Sequence, residues 1–271
     1  MARNDAGLPE PVSPRKLAAE LRRAGRLFLF FDYDGTLVPI APTPAAARPD
    51  PALVRLIGRL AAAPGVRVAL VSGRDLDDVA GMFPLPQIYL AGCHGAELQF
   101  PGGRKSAPAG GAGQALAQLA DRLQRKLAGR QGFFVERKKY SLALHYRLAD
   151  PAEVPAALAA FRESARDAVR AHGLVFTTGK KVLELRPRDV DKGRAVRRLL
   201  EEYPGALPVY LGDDVTDEDA FAALAGSGVT VLVAPAPRPS AARYLVRDPA
   251  EVRELAAYLA GDEAGECGSV G

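Results

Sequence analysis

The chain has 271 residues, of which 48% are hydrophobic and 25% are charged, and its net charge of +4 is ordinary for a soluble protein of one large or two modest domains. The longest apolar run is too short to span a membrane, the N-terminus lacks the apolar core of a secretory signal, and the scattered Lys and Arg do not interleave with aromatic residues as in nucleic-acid binders. The two cysteines, Cys93 and Cys267, form no CxxC pair, so the sequence indicates neither a disulfide framework nor a zinc cluster and favours a reducing cytoplasm.

Residues 1–24 predict a tail followed by a short helix. The tail, residues 1–12, is rich in Gly, Pro and charge, which is typical of a disordered end. Ser13 is a favoured helix cap, the proline after it fits the first helical turn, and Gly25 would end the helix. A second disordered tail is expected over residues 262–271.

Short apolar segments that alternate with helical stretches come next. Leu27–Phe31 places five apolar residues in a row, which is typical of a strand buried on both faces, as in a parallel sheet. The alternation predicts an α/β fold with a doubly wound parallel sheet, a Rossmann-like core built from residues 25–104 and 187–261. The other strands predicted for this core are Val66–Val71, Ile88–Leu90, Val209–Leu211 and Val229–Val233.

The middle of the chain follows a different pattern. Its order is helix, two alternating strands, helix, two strands, which fits a small antiparallel sheet with helices on one face. We therefore expect residues 105–186 to form an α+β cap domain (αββαββ) inserted into the core, with Pro101–Gly113 as the hinge. The predicted elements are Gln114–Leu127, Phe133–Lys138, Tyr140–Arg147, Ala152–His172, Val175–Thr178 and Lys181–Arg186.

The strongest chemical signal is the run Asp32–Thr36 (DYDGT), directly after the first buried strand. Ligand sites in open α/β sheets lie outside the carboxyl ends of the strands. Two carboxylates two residues apart are costly to hold there unless a cation joins them. Gly35 permits a tight turn, and the hydroxyl of Thr36 could meet a phosphate oxygen.

Three further polar segments lie at strand ends or helix starts. Gly212–Asp219 (GDDVTDED) offers oxygen ligands without histidine, which suits a hard ion such as Mg²⁺. Ser72 ends the second strand and could hold a phosphate with the backbone N–H groups behind it, while Lys192 adds a point charge. Each feature alone has an ordinary structural explanation: a turn, a solvated lysine or an acidic helix start. Their occurrence together in one α/β order argues for a single site.

These elements resemble the four motifs of the haloacid dehalogenase superfamily of phosphotransferases. The resemblance implies a reaction through an aspartyl-phosphate with Mg²⁺ as cofactor. The site residues that it implies are the nucleophile Asp32, the general acid/base Asp34, the phosphate ligands Thr36, Ser72 and Lys192, and the metal ligands Asp32, Asp34 (through its backbone carbonyl) and Asp213, with Asp214 and Asp217 close by.

Strand alternation in the predicted cap separates charged from apolar residues. The apolar side chains point toward the helices and leave a charged open face. Such a face suits a sugar phosphate, although from periodicity alone a merely solvated face is about equally expected. The pairs or groups predicted to share a face are Glu136 with Lys138, His145 with Arg147, and Lys180 with Glu184 and Arg186.

Several segments also resemble the trehalose-6-phosphate phosphatase family, namely Gly92–Glu97, Val135–Lys138, Ser141–Arg147, Gly179–Pro187 and Asp213–Asp219. This likeness implies hydrolysis of trehalose 6-phosphate to trehalose and inorganic phosphate in trehalose biosynthesis. The substrate-contacting cap residues that it implies are Glu136, Lys138, Arg147, Lys180 and Glu184.

Other functions stay open on the sequence. A different sugar-phosphate phosphatase, or a phosphomannomutase-like phosphotransferase, would use the same nucleophile. A regulatory module that binds sugar phosphate without turnover would usually lack the nucleophile or a metal ligand, and both are present here. We expect a small-molecule substrate rather than a nucleic acid or a membrane; the oligomeric state is left open, with a monomer allowed.

Overall fold

The structure is a computed structural model that describes residues 7–107, 112–179 and 181–262. The chain divides into two compact units, the first from Met1–Ser106 with Lys192–Gly271 and the second from Ala107–Asp191. Within the described residues the strands are β1 (Glu10–Pro11), β2 (Leu27–Asp32), β3 (Val66–Val71), β4 (Tyr89–Gly92), β5 (Glu97–Gln99), β6 (Lys105–Ser106), β7 (Phe134–Arg137), β8 (Leu142–His145), β9 (Leu174–Gly179), β10 (Val182–Pro187), β11 (Leu207–Gly212), β12 (Val229–Val233) and β13 (Tyr244–Val246).

Helices connect most of these strands. Their described members are α1 (Pro14–Arg22), α2 (Pro51–Ala62), α3 (Leu76–Met82), α4 (Gly113–Lys126), α5 (Val154–Ser164), α6 (Arg166–His172), α7 (Lys192–Leu200), α8 (Glu218–Ala223) and α9 (Pro249–Ala260). Within the parts of the chain that the structure covers, no helix has the length and apolar character needed to cross a membrane.

The first unit is built on one sheet with the strand order β1-β13-β12-β11-β2-β3-β4-β5-β6. The pairs from β1 to β4 in this order are parallel, whereas β5 and β6 add antiparallel strands at one edge. The strand order runs outward in opposite directions from β2, so β2 and β11 flank a topological switch point. The predicted doubly wound parallel core is confirmed.

Strand β2 lies at the centre of this sheet because its side chains are apolar on both faces. Phe31 and its alternate neighbours pack with α1, α2, α3 and α9 on one face. Phe28 and Phe30 pack with α7 and α8 on the other. All six residues of β2 are buried, and Asp32 comes last. Because Asp32 ends this buried strand, its carboxylate lies in the interior, at the edge of the sheet where the parallel strands have their carboxyl ends.

The N-terminal prediction is partly wrong. Helix α1 begins as expected, with the Ser13 hydroxyl accepting from the backbone N–H of Lys16. Residues 7–12, however, are not a disordered tail, because β1 pairs in parallel with β13 and Gly7 bridges to Ser240. Strand β1 has only two residues and both are exposed, so it has no hydrophobic pattern from which a strand could be predicted.

The second unit is an antiparallel sheet, β7-β8-β10-β9, covered on one face by α4, α5 and α6. Leu144 and Leu183 pack toward the helices, as the alternation predicts. One prediction here is wrong: the single helix Ala152–His172 is two helices that meet at Ala165. The αββαββ order holds with that helix divided.

Several predicted boundaries also shift. The strand expected at Ile88–Leu90 is Tyr89–Gly92. Strand β8 ends at His145, so Arg147 lies in the following turn with an exposed side chain, and the alternation that paired it with His145 is wrong. The predicted cap limits of 105 and 186 compare with 107 and 191 for the second unit, and residues 7–24 belong to the first unit. Lys180, part of the predicted hinge (108–111) and nearly all of the predicted C-terminal tail (263–271) lie outside the described residues.

The core of the second unit should be sensitive to truncation of one ring in particular. Phe161 is fully buried and its ring meets that of Phe176 edge-on at 5.1 Å. We expect Phe161→Ala to lower the free energy of unfolding by about 3–5 kcal/mol, because it leaves a cavity. The matched control is Phe134→Ala in β7, where a ring that is 62% exposed is removed; this change should stay within about 0.5 kcal/mol of the wild type. Urea-induced unfolding followed by circular dichroism compares the two, and equal losses would contradict the assignment of this core.

Candidate active site

Three adjacent strands carry the predicted catalytic residues at their carboxyl ends. Asp32 ends β2, Ser72 directly follows β3, and Asp213 directly follows β11. The parallel register pairs Asp32 with Val71 and Phe31 with Leu211, so these residues emerge side by side. Lys192 opens α7 in the same unit.

A buried cluster of charge forms where these elements meet. The Nζ atom of Lys192 lies 2.6 Å from Oδ1 of Asp32 and 2.7 Å from Oδ1 of Asp217. Carboxylate oxygens of Asp32, Asp213 and Asp217 lie within 4.8 Å of one another, and all three residues are buried. Three carboxylates facing one ammonium leave an excess of negative charge.

This crowding shifts the ionisation of both partners in the central ion pair. Burial raises the pKa of the Asp32 carboxyl well above its usual range; Lys192 opposes the rise, and Asp217 and Asp213 add to it. Burial acts to lower the pKa of Lys192, but Asp217 and Asp32 outweigh it and the pKa lies above its usual value. Lys192 is therefore a permanent cation, and the cluster favours a further positive charge beside Asp32.

Asp217 organises the cluster. Its Oδ1 accepts from Lys192 and from the Tyr210 hydroxyl at 2.7 Å, and its Oδ2 accepts from the backbone N–H groups of Asp213 and Asp214 at 3.1 and 2.9 Å. Burial raises the pKa of Tyr210, which stays a neutral donor. The sequence does not indicate this role of Tyr210, since nothing in an apolar strand marks one ring as a hydrogen-bond donor.

Asp34 is held by Arg74, a residue for which the sequence pattern indicates no role. The Arg74 guanidinium donates to both carboxylate oxygens of Asp34, at 2.8 and 2.7 Å. Arg74 also lies over the Tyr33 ring, and its backbone N–H donates to the Ser72 hydroxyl at 3.1 Å. Asp34 remains partly exposed although both of its carboxylate oxygens accept from Arg74. Arg74 thus links the Asp34 side chain to the turn that carries Ser72.

The turn after β2 brings its backbone against the second acidic segment. Gly35 has φ +87°, and a Cβ atom there would lie 2.4 Å from the Asp213 carboxylate, so only glycine permits this approach. The hydroxyl of Thr36 is fully buried and has no hydrogen-bond partner among the described residues. An unsatisfied buried hydroxyl is costly, which is consistent with an oxygen ligand such as phosphate at this position.

The donor set fits a magnesium ion. All candidate ligands are oxygens, and the excess negative charge around Asp32 and Asp213 calls for a cation. Asp217 is the weakest candidate of the three carboxylates, because both of its oxygens already accept hydrogen bonds. The Asp34 side chain is engaged by Arg74; the resemblance implies a metal contact through its backbone carbonyl instead.

The predicted sugar-contacting residues belong to the second unit. Glu136 and Glu184 share the face of the sheet that the helices leave open, because both lie opposite Ala143 in the register. Lys138 lies 3.6 Å from Glu184. Arg147 lies in the turn beyond β8, and Lys180 is outside the described residues. Two further polar residues contact these glutamates: His145, which the alternation placed on the charged face, and Ser141, which it did not. Neither contact was indicated by the sequence.

Known proteins resemble the chain in both sequence and fold. The family model described as trehalose-phosphatase matches residues 30–250. The trehalose-phosphate phosphatase of Mycobacterium marinum is 40% identical over 244 residues, which cover 86% of this chain and 61% of the relative. The chain thus spans less than two thirds of the length of the curated relatives that it matches.

Two solved structures extend the likeness to the whole fold. The C-terminal domain of C. albicans trehalose-6-phosphate phosphatase superposes with a TM-score of 0.80 at 27% identity, covering 93% of this chain and 99% of that one. Aspergillus fumigatus trehalose-6-phosphate phosphatase gives a TM-score of 0.68 at 30% identity, covering 93% and 98%. Because the family model spans most of the sequence and these structures match nearly end to end, the chain belongs to the trehalose-phosphatase family.

Proposed function

We propose that this protein hydrolyses trehalose 6-phosphate to trehalose and inorganic phosphate, through a phosphorylated Asp32 and with Mg²⁺ as cofactor. The observation that carries the proposal is the buried Asp32 carboxylate, held by Lys192 beside Asp213 at the carboxyl ends of the central strands. Family membership supports the substrate, since the relatives from M. marinum, C. albicans and A. fumigatus are trehalose-phosphate phosphatases by name.

In the first step Asp32 acts as the nucleophile. Lys192 donates a hydrogen bond to its Oδ1 and so fixes the orientation of the carboxylate. A carboxylate oxygen bonds to phosphorus while the bond from phosphorus to the sugar oxygen breaks. Asp34 gives a proton to the departing oxygen, so that trehalose leaves as a neutral alcohol. The hydroxyls of Thr36 and Ser72 would hold the transferring phosphate oxygens.

In the second step water attacks the phosphorus of the aspartyl-phosphate. Asp34, now a carboxylate, takes a proton from this water, the bond from phosphorus to Asp32 breaks, and inorganic phosphate departs with the carboxylate restored. Arg74 donates to both side-chain oxygens of Asp34 and so limits the orientations that this carboxyl group can take.

The proposed cofactor addresses the repulsion between reactants of like charge. When bound, Mg²⁺ would supply positive charge that offsets the repulsion between the nucleophilic carboxylate and the phosphate dianion. Asp32, Asp213 and the backbone carbonyl of Asp34 would hold it. Asp217 would keep its structural hydrogen bonds to Lys192 and Tyr210.

The second unit would supply substrate selectivity. Glu136 and Glu184 offer carboxylate oxygens to sugar hydroxyls, and Lys138 adds a cation beside them. A phosphomannomutase-like transfer to a second sugar is the weaker candidate, because the family match favours hydrolysis. A cytoplasmic location and a monomeric state stay predictions.

The nucleophile can be tested by one isosteric change. Asp32→Asn should abolish phosphate release, because the amide cannot form the acyl phosphate. It should not unfold the protein, and it should stabilise the metal-free form, since it removes a charge that burial disfavours. The control is Asp77→Asn, which alters an exposed aspartate paired with Lys105 and should leave activity unchanged. Substantial activity in pure Asp32→Asn protein would refute the assignment.

Metal dependence gives a second test. Excess EDTA should silence the enzyme and Mg²⁺ should restore it, whereas Ca²⁺ should restore little activity because its coordination is larger and looser. Mg²⁺ should also raise the melting temperature of the wild type and of Asp77→Asn, because binding favours the folded state. The rise should vanish in Asp213→Asn. Full activity in excess chelator would contradict the proposed cofactor.

A substrate panel tests the sugar selectivity. We expect Glu136→Ala and Glu184→Ala each to cost about 1–3 kcal/mol in kcat/KM for trehalose 6-phosphate, because partner groups lose hydrogen bonds. Both variants should act on p-nitrophenyl phosphate nearly as well as the wild type, which itself should hydrolyse glucose 6-phosphate poorly. The matched control is Glu163→Ala, an exposed glutamate on α5. Equal weakening of all substrates, or equal rates on the two sugar phosphates, would show that the second unit does not recognise a disaccharide.

A further inference from the structure

Strand β8 is one of the two inner strands of the second unit's sheet, with β7 on one side and β10 on the other. The register aligns Glu136 of β7 and Glu184 of β10 with the same residue of β8, Ala143. Since side chains alternate between faces along a strand, the residues two positions away on either side, Ser141 and His145, share this face. Each therefore lies diagonal to one of the two glutamates.

Both diagonals carry a hydrogen bond. The Ser141 hydroxyl donates to Oε1 of Glu184 at 2.6 Å. Nε2 of His145 lies 2.7 Å from Oε2 of Glu136, and because a carboxylate only accepts, the imidazole is the donor. Strand β8, through His145, and the residue just before it, Ser141, thus give one donor to the carboxylate on each neighbouring strand.

The hairpin turn before β8 places a second partner, Lys138, beside Glu184. The backbone N–H of Lys138 donates to the carbonyl of Ser141 at 2.9 Å, which closes the turn. This closure sets the Lys138 ammonium 3.6 Å from the same Glu184 oxygen that Ser141 contacts. Glu184 and Ser141 are both buried, so the carboxylate has little freedom to turn.

The other glutamate, Glu136, is more exposed than Glu184, and its surroundings favour its charged form. The hydrogen bond from His145 is the largest cause of a lowered pKa at Glu136; burial raises that pKa, Lys138 lowers it and Glu184 raises it. A carboxylate has two oxygens with about four lone-pair sites, so the hydrogen bond that orients it does not use its whole accepting capacity. Two such acceptors on one face suit a ligand with several hydroxyl groups. A purely structural face would be served as well by apolar or solvated side chains.

We infer that Ser141 and His145 are positioning residues that orient the two flanking carboxylates to accept hydrogen bonds from sugar hydroxyls. This inference rests on the proposed function and assigns a role to side chains that need not touch the substrate themselves. It requires that loss of either donor harm recognition of the sugar and spare the chemistry at phosphorus.

The test compares variants that remove each donor with variants that keep it. Ser141→Ala and His145→Leu remove the donors, whereas Ser141→Thr and His145→Gln retain a hydroxyl and an N–H donor. The removing variants should lose on the order of tenfold or more in kcat/KM for trehalose 6-phosphate, as expected for a hydrogen bond to a charged group, while p-nitrophenyl phosphate changes by less than about twofold. At least one retaining variant should recover most of the loss.

A second measurement does not depend on turnover. In protein labelled with ¹³C at glutamate carboxyl carbons, and with the resonance assigned from Glu136→Gln, the pKa of Glu136 should rise in His145→Leu and stay unchanged in Ser141→Ala. Equal losses on both phosphate esters, no loss on either, or an unmoved Glu136 pKa would overturn the inference. A wild type that hydrolyses p-nitrophenyl phosphate but not trehalose 6-phosphate would instead refute the proposed substrate, and with it this role.

Discussion

Burying charged groups costs free energy, and this cost constrains how the first unit can fold around its buried ion pairs. Lys192 sits between Asp32 and Asp217 with almost no exposure to water, and no one of the three could be buried alone without a large desolvation penalty. The partners come from β2, from the segment after β11 and from the start of α7, which are far apart in the sequence. The sheet and helices must therefore assemble correctly for these charges to be tolerated at all.

The two units handle carboxylates in different ways. In the first unit, Asp32 and its acidic neighbours are crowded until negative charge is in excess, an arrangement that invites a cation and suits chemistry on a phosphate. In the second unit, Glu136 and Glu184 each accept a hydrogen bond from a neighbouring residue of the same sheet region, and Lys138 lies beside Glu184, so both carboxylates are oriented acceptors. Carboxylates thus serve both the proposed reaction, at Asp32, and the proposed recognition of the sugar, at Glu136 and Glu184, in surroundings that differ in charge.

Much of this organisation was predictable from local pattern. The run of apolar residues in β2, the acidic motif after it and the two-residue alternation in the second unit all follow from short-range rules. The contacts that could not be predicted from the sequence depend on how distant segments pack together in the fold. The pair of Arg74 with Asp34 joins residues 40 positions apart, and the bond from Ser141 to Glu184 depends on the register of β8 against β10. The break at Ala165 could not be foreseen either, because alanine is a strong helix former.

The position of β2 between β3 and β11 has a consequence for how the chain acquires this shape. Strand β3 follows β2 closely in sequence, but β11 becomes available only after the whole second unit, Ala107–Asp191, has been synthesised. Until then one edge of the most apolar strand has no neighbour, and such an edge is a template for association with other chains. The pairing of β11 with β2 joins segments that are far apart in the sequence, and such long-range pairing slows folding. A chain of this topology would gain from a chaperone, or from rapid folding of the inserted unit, during the interval in which that edge is exposed.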